Sequence, residues 1–226
     1  LLRQSPVELV IAGRSLEKAA AFTALLNAEF PGGRASALRA DAASADSLRA
    51  ALRGVDLLVV ASPTTRHAQT VARAALDVGV DYLDVQLDAG KLALLQALAP
   101  ELERAGRCFI TEAGFHPGLP SAMVRWAAAR LDRLDSAVTA GYLNMGQALP
   151  YSEAVDELMQ LFQEYQAQVF KNGAWTKTGS YELRKINFGG AIGPRTCYSM
   201  FFEEMRDLPR QFPSLRELGF YMAGLN

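Results

Sequence analysis

An arginine and a serine directly follow the first strongly apolar run of this chain. Residues 7–13 read VELVIAG, which predicts a strand buried on both faces, and Ser15 is placed to cap the helix behind it. A guanidinium offers paired N–H donors that match a phosphate, and helix N-terminal amides add to them. In a dinucleotide-binding fold, the adenosine ribose lies at the end of the second strand. An arginine there accommodates the 2′-phosphate of NADP, whereas an acidic residue hydrogen-bonds the 2′-hydroxyl of NAD. Arg14 and Ser15 are therefore candidates for binding NADP, with NAD less favoured; the alternative is a surface arginine in a loop.

A second motif occupies residues 112–120, EAGFHPGLP, where a predicted strand runs into a rigid turn. Gly114, Pro117 and Gly118 would fix the backbone of this turn close to a flat ligand such as a nicotinamide ring. His116 projects from the turn, and an imidazole can act as a general acid or base near neutral pH. A structural histidine held by hydrogen bonds is the other interpretation of His116.

Further polar residues follow the other predicted strands. Asp41 could reach the adenine amino group, or it could cap a helix. Ser62 and Pro63 would lie along the nicotinamide ribose and the pyrophosphate, because ligands of such folds bind at the carboxyl ends of strands; a simple capping turn is the alternative. Gln86 ends the next strand and shares this rim.

The second half of the chain contributes candidates for the substrate. Arg195 could hold a substrate carboxylate, and Tyr142 is a second candidate for substrate binding. Glu203 or Glu204 could bind a substrate ammonium or transfer a proton, which makes them candidate catalytic residues beside His116. A charged surface strand and helix is the alternative interpretation of this region.

Strands alternate with helices up to residue 113, and this alternation predicts a parallel sheet with right-handed crossovers. The predicted strands are 7–12, 35–40, 55–61, 81–86 and 107–112, and the predicted helices are 16–30, 44–52, 65–78 and 91–105. One further strand before them would complete a doubly wound sheet of order 3-2-1-4-5-6, in which the first strand seen here is number 2. No glycine-rich turn precedes this strand. We therefore expect the chain to lack its own beginning.

A smaller α+β region follows, and we place the boundary between a domain of residues 1–135 and one of residues 136–226. A helix is predicted over Ser121–Leu131, a strand over Ser136–Leu143, a helix over Ser152–Gln166 and an antiparallel hairpin over Val169–Lys177. Its strands are expected to be antiparallel. Residues 212–226 are expected to stop without a finished element, which would leave this domain incomplete as well.

The composition excludes several classes of function. Half of the 226 residues are apolar and the net charge is −1, which argues against a nucleic-acid or anionic membrane surface. No apolar run approaches the roughly 20 residues that span a bilayer. Cys108 and Cys197 have neither metal-site nor redox spacing, so we expect free thiols, no metal and a cytoplasmic protein.

Taken together, these motifs resemble the saccharopine dehydrogenase-like family of NADP-dependent reductases. The resemblance is carried by AGRS at 12–15, the strand end at Asp41, VVASP at 59–63, GVDYLD at 79–84 and AGFHPGL at 113–119. It implies a Rossmann domain with an α+β domain that builds the substrate cleft and often a dimer interface. It implies a phosphate-binding role for Arg14 and a place near the nicotinamide for residues 114–119. The glycine fingerprint is absent here, and His116 stands where relatives often have an acidic residue.

The sequence therefore predicts an NADP-dependent oxidoreductase, acting as a homodimer on a small molecule. It would transfer hydride to or from a C–N bond of an amino-acid-like substrate. The alternative is a non-catalytic NADP-binding sensor that partners another protein.

Overall fold

The computed structural model describes residues 1–144, 166–178 and 182–224. The chain divides into two compact units by its internal contacts. The first comprises Leu1–Asp84 and Asp88–Thr111, and the second comprises Val85–Leu87 and Glu112–Asn226. The sequence places the boundary at residue 135 instead. Residues 112–135 pack with the second unit because Val124 and Leu134 belong to its hydrophobic core.

The first unit alternates strands and helices, as predicted. Its elements are β1 Leu9–Gly13, α1 Leu16–Glu29, β2 Ala35–Arg39, α2 Ala45–Ala51, β3 Leu57–Val60, a 3₁₀ turn Thr65–His67, α3 Ala68–Asp77, β4 Asp81–Asp84, α4 Ala89–Ala97, α5 Ala99–Ala105 and β5 Phe109–Ile110. β1 pairs with β2, and β3, β4 and β5 form a second sheet in that order; every one of these pairings is parallel. The α/β class with parallel strands is thus confirmed.

Two details of the first unit differ from expectation. The strands β1 and β3 are not buried on both faces, since Val10 is 42% exposed and Val59 is 50% exposed. Within the described residues each of these strands has a single neighbour, so one side of each lacks the packing expected of a central strand. The predicted helix 91–105 is interrupted at Leu98, because Pro100 cannot donate the backbone hydrogen bond that would continue it.

The second unit is built on one mixed sheet. Its elements are α6 Leu119–Ala128, β6 Ser136–Tyr142, β7 Gln168–Lys171, β8 Ala174–Lys177, β9 Leu183–Asn187, β10 Pro194–Met200, a 3₁₀ turn Glu203–Met205, a short helix Leu208–Gln211 and β11 Glu217–Ala223. The sheet order is β8-β7-β11-β10-β9, and β6 also pairs with β11. The hairpin β7–β8 is confirmed, with positive φ at Asn172 and Gly173 in its turn.

Two predictions for the second unit are wrong. β6 runs parallel to β11, although only antiparallel pairs were expected. Residues 217–223, within the stretch expected to stop without a finished element, do form one, because β11 is nearly all buried and hydrogen-bonds to β6, β7 and β10. Its apolar run LGFYMA suits a central strand, whose two faces are both covered. The predicted helix 152–166 falls almost wholly outside the described residues.

Within the described ranges, no helix combines the length and the apolar character that a bilayer-spanning segment needs.

Candidate functional site

The first candidate site lies at the carboxyl end of β1. Ser15 is the N-cap of α1, as predicted, and its hydroxyl accepts a hydrogen bond from the Lys18 N–H at 3.2 Å. Arg14 precedes the cap and is exposed. Its guanidinium forms neither an ion pair nor a hydrogen bond with any residue that the structure describes. A free guanidinium beside the N-terminus of a 14-residue helix can bind an anion without first breaking a protein contact.

The neighbouring strand end carries Asp41. Gly13 and Arg39 are register partners at the ends of β1 and β2, and the Ala40 N–H donates to the Gly13 carbonyl at 3.0 Å. The Asp41 carboxylate accepts from the Ala43 N–H at 3.0 Å, while the side chain of Ser44 caps α2. Asp41 is therefore not the helix cap. The loops of Arg14 and Asp41 therefore lie side by side at the carboxyl ends of β1 and β2.

Ser62 and Pro63 form the predicted turn after β3. The Thr64 N–H donates to the Ser62 carbonyl at 2.8 Å, and the two hydroxyls of Ser62 and Thr64 lie 3.2 Å apart. The turn leads into a 3₁₀ turn rather than directly into α3. Ser62 is exposed. Gln86, in contrast, is buried, with 7% of its surface exposed, and belongs to the second unit.

A buried charged cluster at the end of β4 was missed by the sequence analysis. Asp84 accepts hydrogen bonds from Lys91 Nζ at 2.5 Å, the Tyr82 hydroxyl at 2.7 Å and the Thr111 hydroxyl at 2.9 Å. The side chains of Asp84 and Lys91 are 0% and 1% exposed. Burial and the bond to Asp84 raise the pKa of Tyr82 well above its usual value. This cluster ties β4, α4 and the segment after β5 together.

In the second unit, the turn over residues 112–120 is held by its own backbone. The Gly114 N–H donates to the Pro117 carbonyl at 2.9 Å, and the Leu119 N–H donates to the Gly114 carbonyl at 3.0 Å. Gly118 adopts a φ of +126°, and a Cβ there would lie 2.4 Å from the Glu112 carbonyl oxygen. Only glycine fits this position. The predicted rigid turn is therefore present.

His116 is held by aromatic rings. Its ring centroid lies 4.0 Å from that of Phe115, 4.7 Å from that of Phe220 and 5.7 Å from that of Phe202. Burial lowers the pKa of His116, so its neutral form is favoured. The imidazole makes no hydrogen bond to any described residue. The hydrogen-bonded structural histidine considered above is thus not what the structure shows.

The two candidates for substrate binding lie together. The guanidinium carbon of Arg195 is 5.7 Å from the centre of the Tyr142 ring, a distance typical of a cation–π contact. Arg195 is exposed and also donates to the Pro194 carbonyl at 3.0 Å. Its charge is therefore still available to an anionic group.

The adjacent glutamates have different environments. Glu203 is exposed and forms a two-pronged ion pair with Arg206, which is the surface role considered as an alternative. Glu204 accepts a hydrogen bond from the Ser121 hydroxyl at 2.5 Å. The second carboxylate oxygen of Glu204 is buried and has no partner among the described residues. Of the two, Glu204 is the one with unused hydrogen-bonding capacity.

Within the described part of the chain, no group of three or more histidine, cysteine, aspartate or glutamate side chains could hold a metal ion. Cys108 and Cys197 are free thiols.

Comparisons with known proteins bear on the first unit above all. Residues 1–110 match the family model of the saccharopine dehydrogenase NADP-binding domain. The resemblance inferred from the sequence motifs is thereby confirmed for these residues. No curated protein matches the chain.

One solved structure supports the fold. The saccharopine dehydrogenase (L-Glu forming) of Saccharomyces cerevisiae superposes with a TM-score of 0.71 at 17% identity, covering 98% of this chain and 50% of that protein. The chain thus spans about half the length of this enzyme. Candidate oxidoreductases from Bacteroides fragilis and Klebsiella pneumoniae match at TM-scores of 0.48 and 0.47, with 18% and 17% identity. The two alignments cover all of this chain, and they cover 60% of the Bacteroides protein and 57% of the Klebsiella protein.

Proposed function

We propose, from the match of residues 1–110 to the model of the saccharopine dehydrogenase NADP-binding domain, that this protein is an NADP-dependent oxidoreductase. Its substrate would be a small amino-acid-like molecule with a C–N bond that is reduced or oxidised. The observation that carries the proposal is the free guanidinium of Arg14 beside the N-terminus of α1.

Residues of the first unit would hold the cofactor. Arg14 would bind the 2′-phosphate, the amides at the start of α1 would add to this attraction, and Asp41 would face the adenine. Ser62 and Pro63 would line the ribose and the pyrophosphate. NADP(H), when bound, supplies or accepts the hydride, and the protein orients the reactants and excludes water.

Residues of the second unit would act on the substrate. The neutral imidazole of His116 can accept or donate a proton at its ring nitrogens. Arg195, placed beside Tyr142, would attract a carboxylate. Glu204 would accept an N–H of the substrate at its unpartnered oxygen, whereas the ion pair of Glu203 with Arg206 leaves that residue a weaker candidate.

We also propose a cytoplasmic homodimer. Both cysteines are free thiols, as is usual in a reducing compartment. Leu183 on the edge strand β9 is 59% exposed, and Trp126 on α6 is 63% exposed. Both apolar side chains would suit burial against a second copy. Light scattering on purified protein measures the oligomeric state directly.

Turnover tests the proposed function. The full chain is incubated with NADPH and a panel of imines formed from keto acids and amines, and the oxidation of NADPH is followed. We expect NADPH to be consumed with at least one imine, and His116→Ala to lower kcat by about 10²- to 10⁴-fold. The matched control is His67→Ala, which changes the only other histidine and should leave kcat near that of the wild type.

Two outcomes would contradict the proposal. Binding of NADPH without turnover on any substrate would favour the non-catalytic sensor. Failure to bind either NADPH or NADH would leave a Rossmann-like scaffold without the proposed activity.

A further inference from the structure

A small apolar cleft lies within the second unit, between the start of α6 and strand β6. The cleft is shallow and opens to solvent. Its lining residues are Phe115, His116, Leu119, Met123, Thr139 and Phe220, together with Pro120, Ala140 and Gly141. The turn that carries His116 forms one wall. The cleft is therefore part of the region that holds the proton-transfer candidate.

Thr139 is the unusual member of this lining. It lies on the buried face of β6, with Ala137 and Gly141, and only 8% of its surface is exposed. Its hydroxyl oxygen is buried and has no hydrogen-bond partner among the described residues. Buried hydroxyls are nearly always paired, because leaving one unpaired costs free energy. A polar atom that reaches this oxygen from the cleft would complete its hydrogen bonds.

The imidazole of His116 is the second unpaired polar group of the cleft. A Cβ added at Gly141 would lie 3.3 Å from Nε2 of His116, so the missing side chain lets the ring lie over β6. A neutral imidazole has one donor and one acceptor nitrogen. Burial favours this neutral form, because it lowers the pKa of the ring.

The described lining contains no charged side chain. An ionised carboxylate or ammonium would lose its hydration here without gaining a counter-charge, which is costly in apolar surroundings. A neutral group with one hydrogen-bonding atom would instead satisfy Thr139 and bury its carbon atoms.

We infer that this cleft is a subsite for a short, uncharged aliphatic group, such as an amide or an imine, whose polar atom hydrogen-bonds the hydroxyl of Thr139. The inference rests on the proposed function in taking the cleft as part of the substrate site. It deepens that function, because it assigns neutral character to this end of the substrate. Thr139 thereby becomes a specificity-determining residue.

Binding of matched probes to the full chain tests this inference. Isobutyramide, isobutyrate and isobutylammonium have similar carbon skeletons and differ in charge. Each is titrated while the methyl resonance of Met123, a lining residue, is followed by NMR. We expect isobutyramide to shift this resonance and to bind at least about 10-fold more tightly than either charged probe, since each would be desolvated without a partner.

Substitutions at Thr139 then test the hydrogen bond itself. Thr139→Val keeps the shape and should weaken isobutyramide about 2- to 10-fold, whereas Thr139→Ser should bind it nearly as the wild type does. Thr196→Val, on the exposed part of β10, is the matched control and should change nothing. Thermal unfolding confirms that each variant is folded.

The inference is overturned if isobutyramide leaves Met123 unshifted, if the three probes bind equally, or if Thr139→Val binds the amide as well as the wild type does. No cofactor and no turnover enter this experiment. A protein that binds the amide through Thr139 but neither binds nor oxidises NADPH would refute the proposed function and leave the subsite standing.

Discussion

The buried polar groups of the two units differ in how completely they are hydrogen-bonded. In the first unit, the Asp84 carboxylate receives hydrogen bonds from a lysine, a tyrosine and a threonine side chain. In the second unit, one oxygen of Glu204 and the hydroxyl of Thr139 are buried with no partner among the described residues.

This contrast separates groups that hold the fold from groups that could serve a ligand. Removing one partner of a buried, paired charge is strongly destabilising, because the remaining charge is left without compensation. A buried polar group without a partner already costs free energy in the empty protein, and a ligand that pairs with it recovers that cost. The predictions below test whether Asp84 belongs to the first kind and Thr139 and Glu204 to the second.

The largest effect is expected at Lys91. Lys91→Met would leave the Asp84 carboxylate buried without its counter-charge and should lower the free energy of unfolding by about 3–5 kcal/mol. The matched control is Lys171→Met, which breaks the partly exposed pair with Glu182 and should cost less than about 1 kcal/mol. Urea unfolding measures both. Equal costs for the two variants would show that the Asp84 cluster is not the structural anchor described here.

Ser121 tests the partly paired carboxylate. Ser121→Ala removes the hydroxyl that donates to Glu204 at 2.5 Å and should destabilise the protein by about 1–3 kcal/mol. Ser121→Ala combined with Glu204→Leu removes both partners, and the double variant should recover part of this loss. If the double variant is less stable than the single variant by the full cost of losing Glu204, the two side chains are not coupled.

Thr139 should respond in the opposite direction. Thr139→Val replaces an unpaired buried hydroxyl by a methyl group, so we expect a neutral change or a gain of up to about 1 kcal/mol. Thr23→Val is the matched control, because the buried Thr23 donates to the Ala20 carbonyl at 2.9 Å and should lose stability. A clear loss at Thr139, measured in the same urea experiment, would mean that its hydroxyl is already paired in the protein.

The smallest effect concerns pH. Burial lowers the pKa of His116 in the folded protein, so the unfolded chain takes up a proton near pH 6.5 that the folded protein does not. The stability that the neutral His116 contributes is therefore fully present above about pH 6.5, and it is lost as the pH falls from that value through the lower pKa of the folded protein. His116→Gln should flatten the dependence of unfolding free energy on pH between about pH 5 and 7. An unchanged pH dependence in His116→Gln would contradict the assigned shift.

Features set by neighbouring residues were predictable from the sequence. Ser15 caps α1 because the cap needs only its own hydroxyl and the following amides, and Asn172-Gly173 makes its turn because both residues accept positive φ. The rigid turn around Gly118 was predictable for the same reason.

Features set by distant residues were not. The parallel pairing of β6 with β11 joins segments separated by most of the second unit. Neither the ion pair of Asp84 with Lys91 nor the unpaired hydroxyl of Thr139 has a local sequence signal, since each depends on what packs around it. The contact between Tyr142 and Arg195 joins two residues that were proposed separately for the same purpose.

The most direct test of the central claim measures how Arg14 discriminates between the two cofactors. NADPH and NADH are titrated by fluorescence into the wild type, Arg14→Ala and the control Arg53→Ala, whose arginine is also exposed. If Arg14 binds the 2′-phosphate, Arg14→Ala weakens NADPH by about 10- to 100-fold and leaves NADH nearly unchanged. An equal loss of affinity for both cofactors, or no loss for either, would contradict the claim that Arg14 binds the 2′-phosphate.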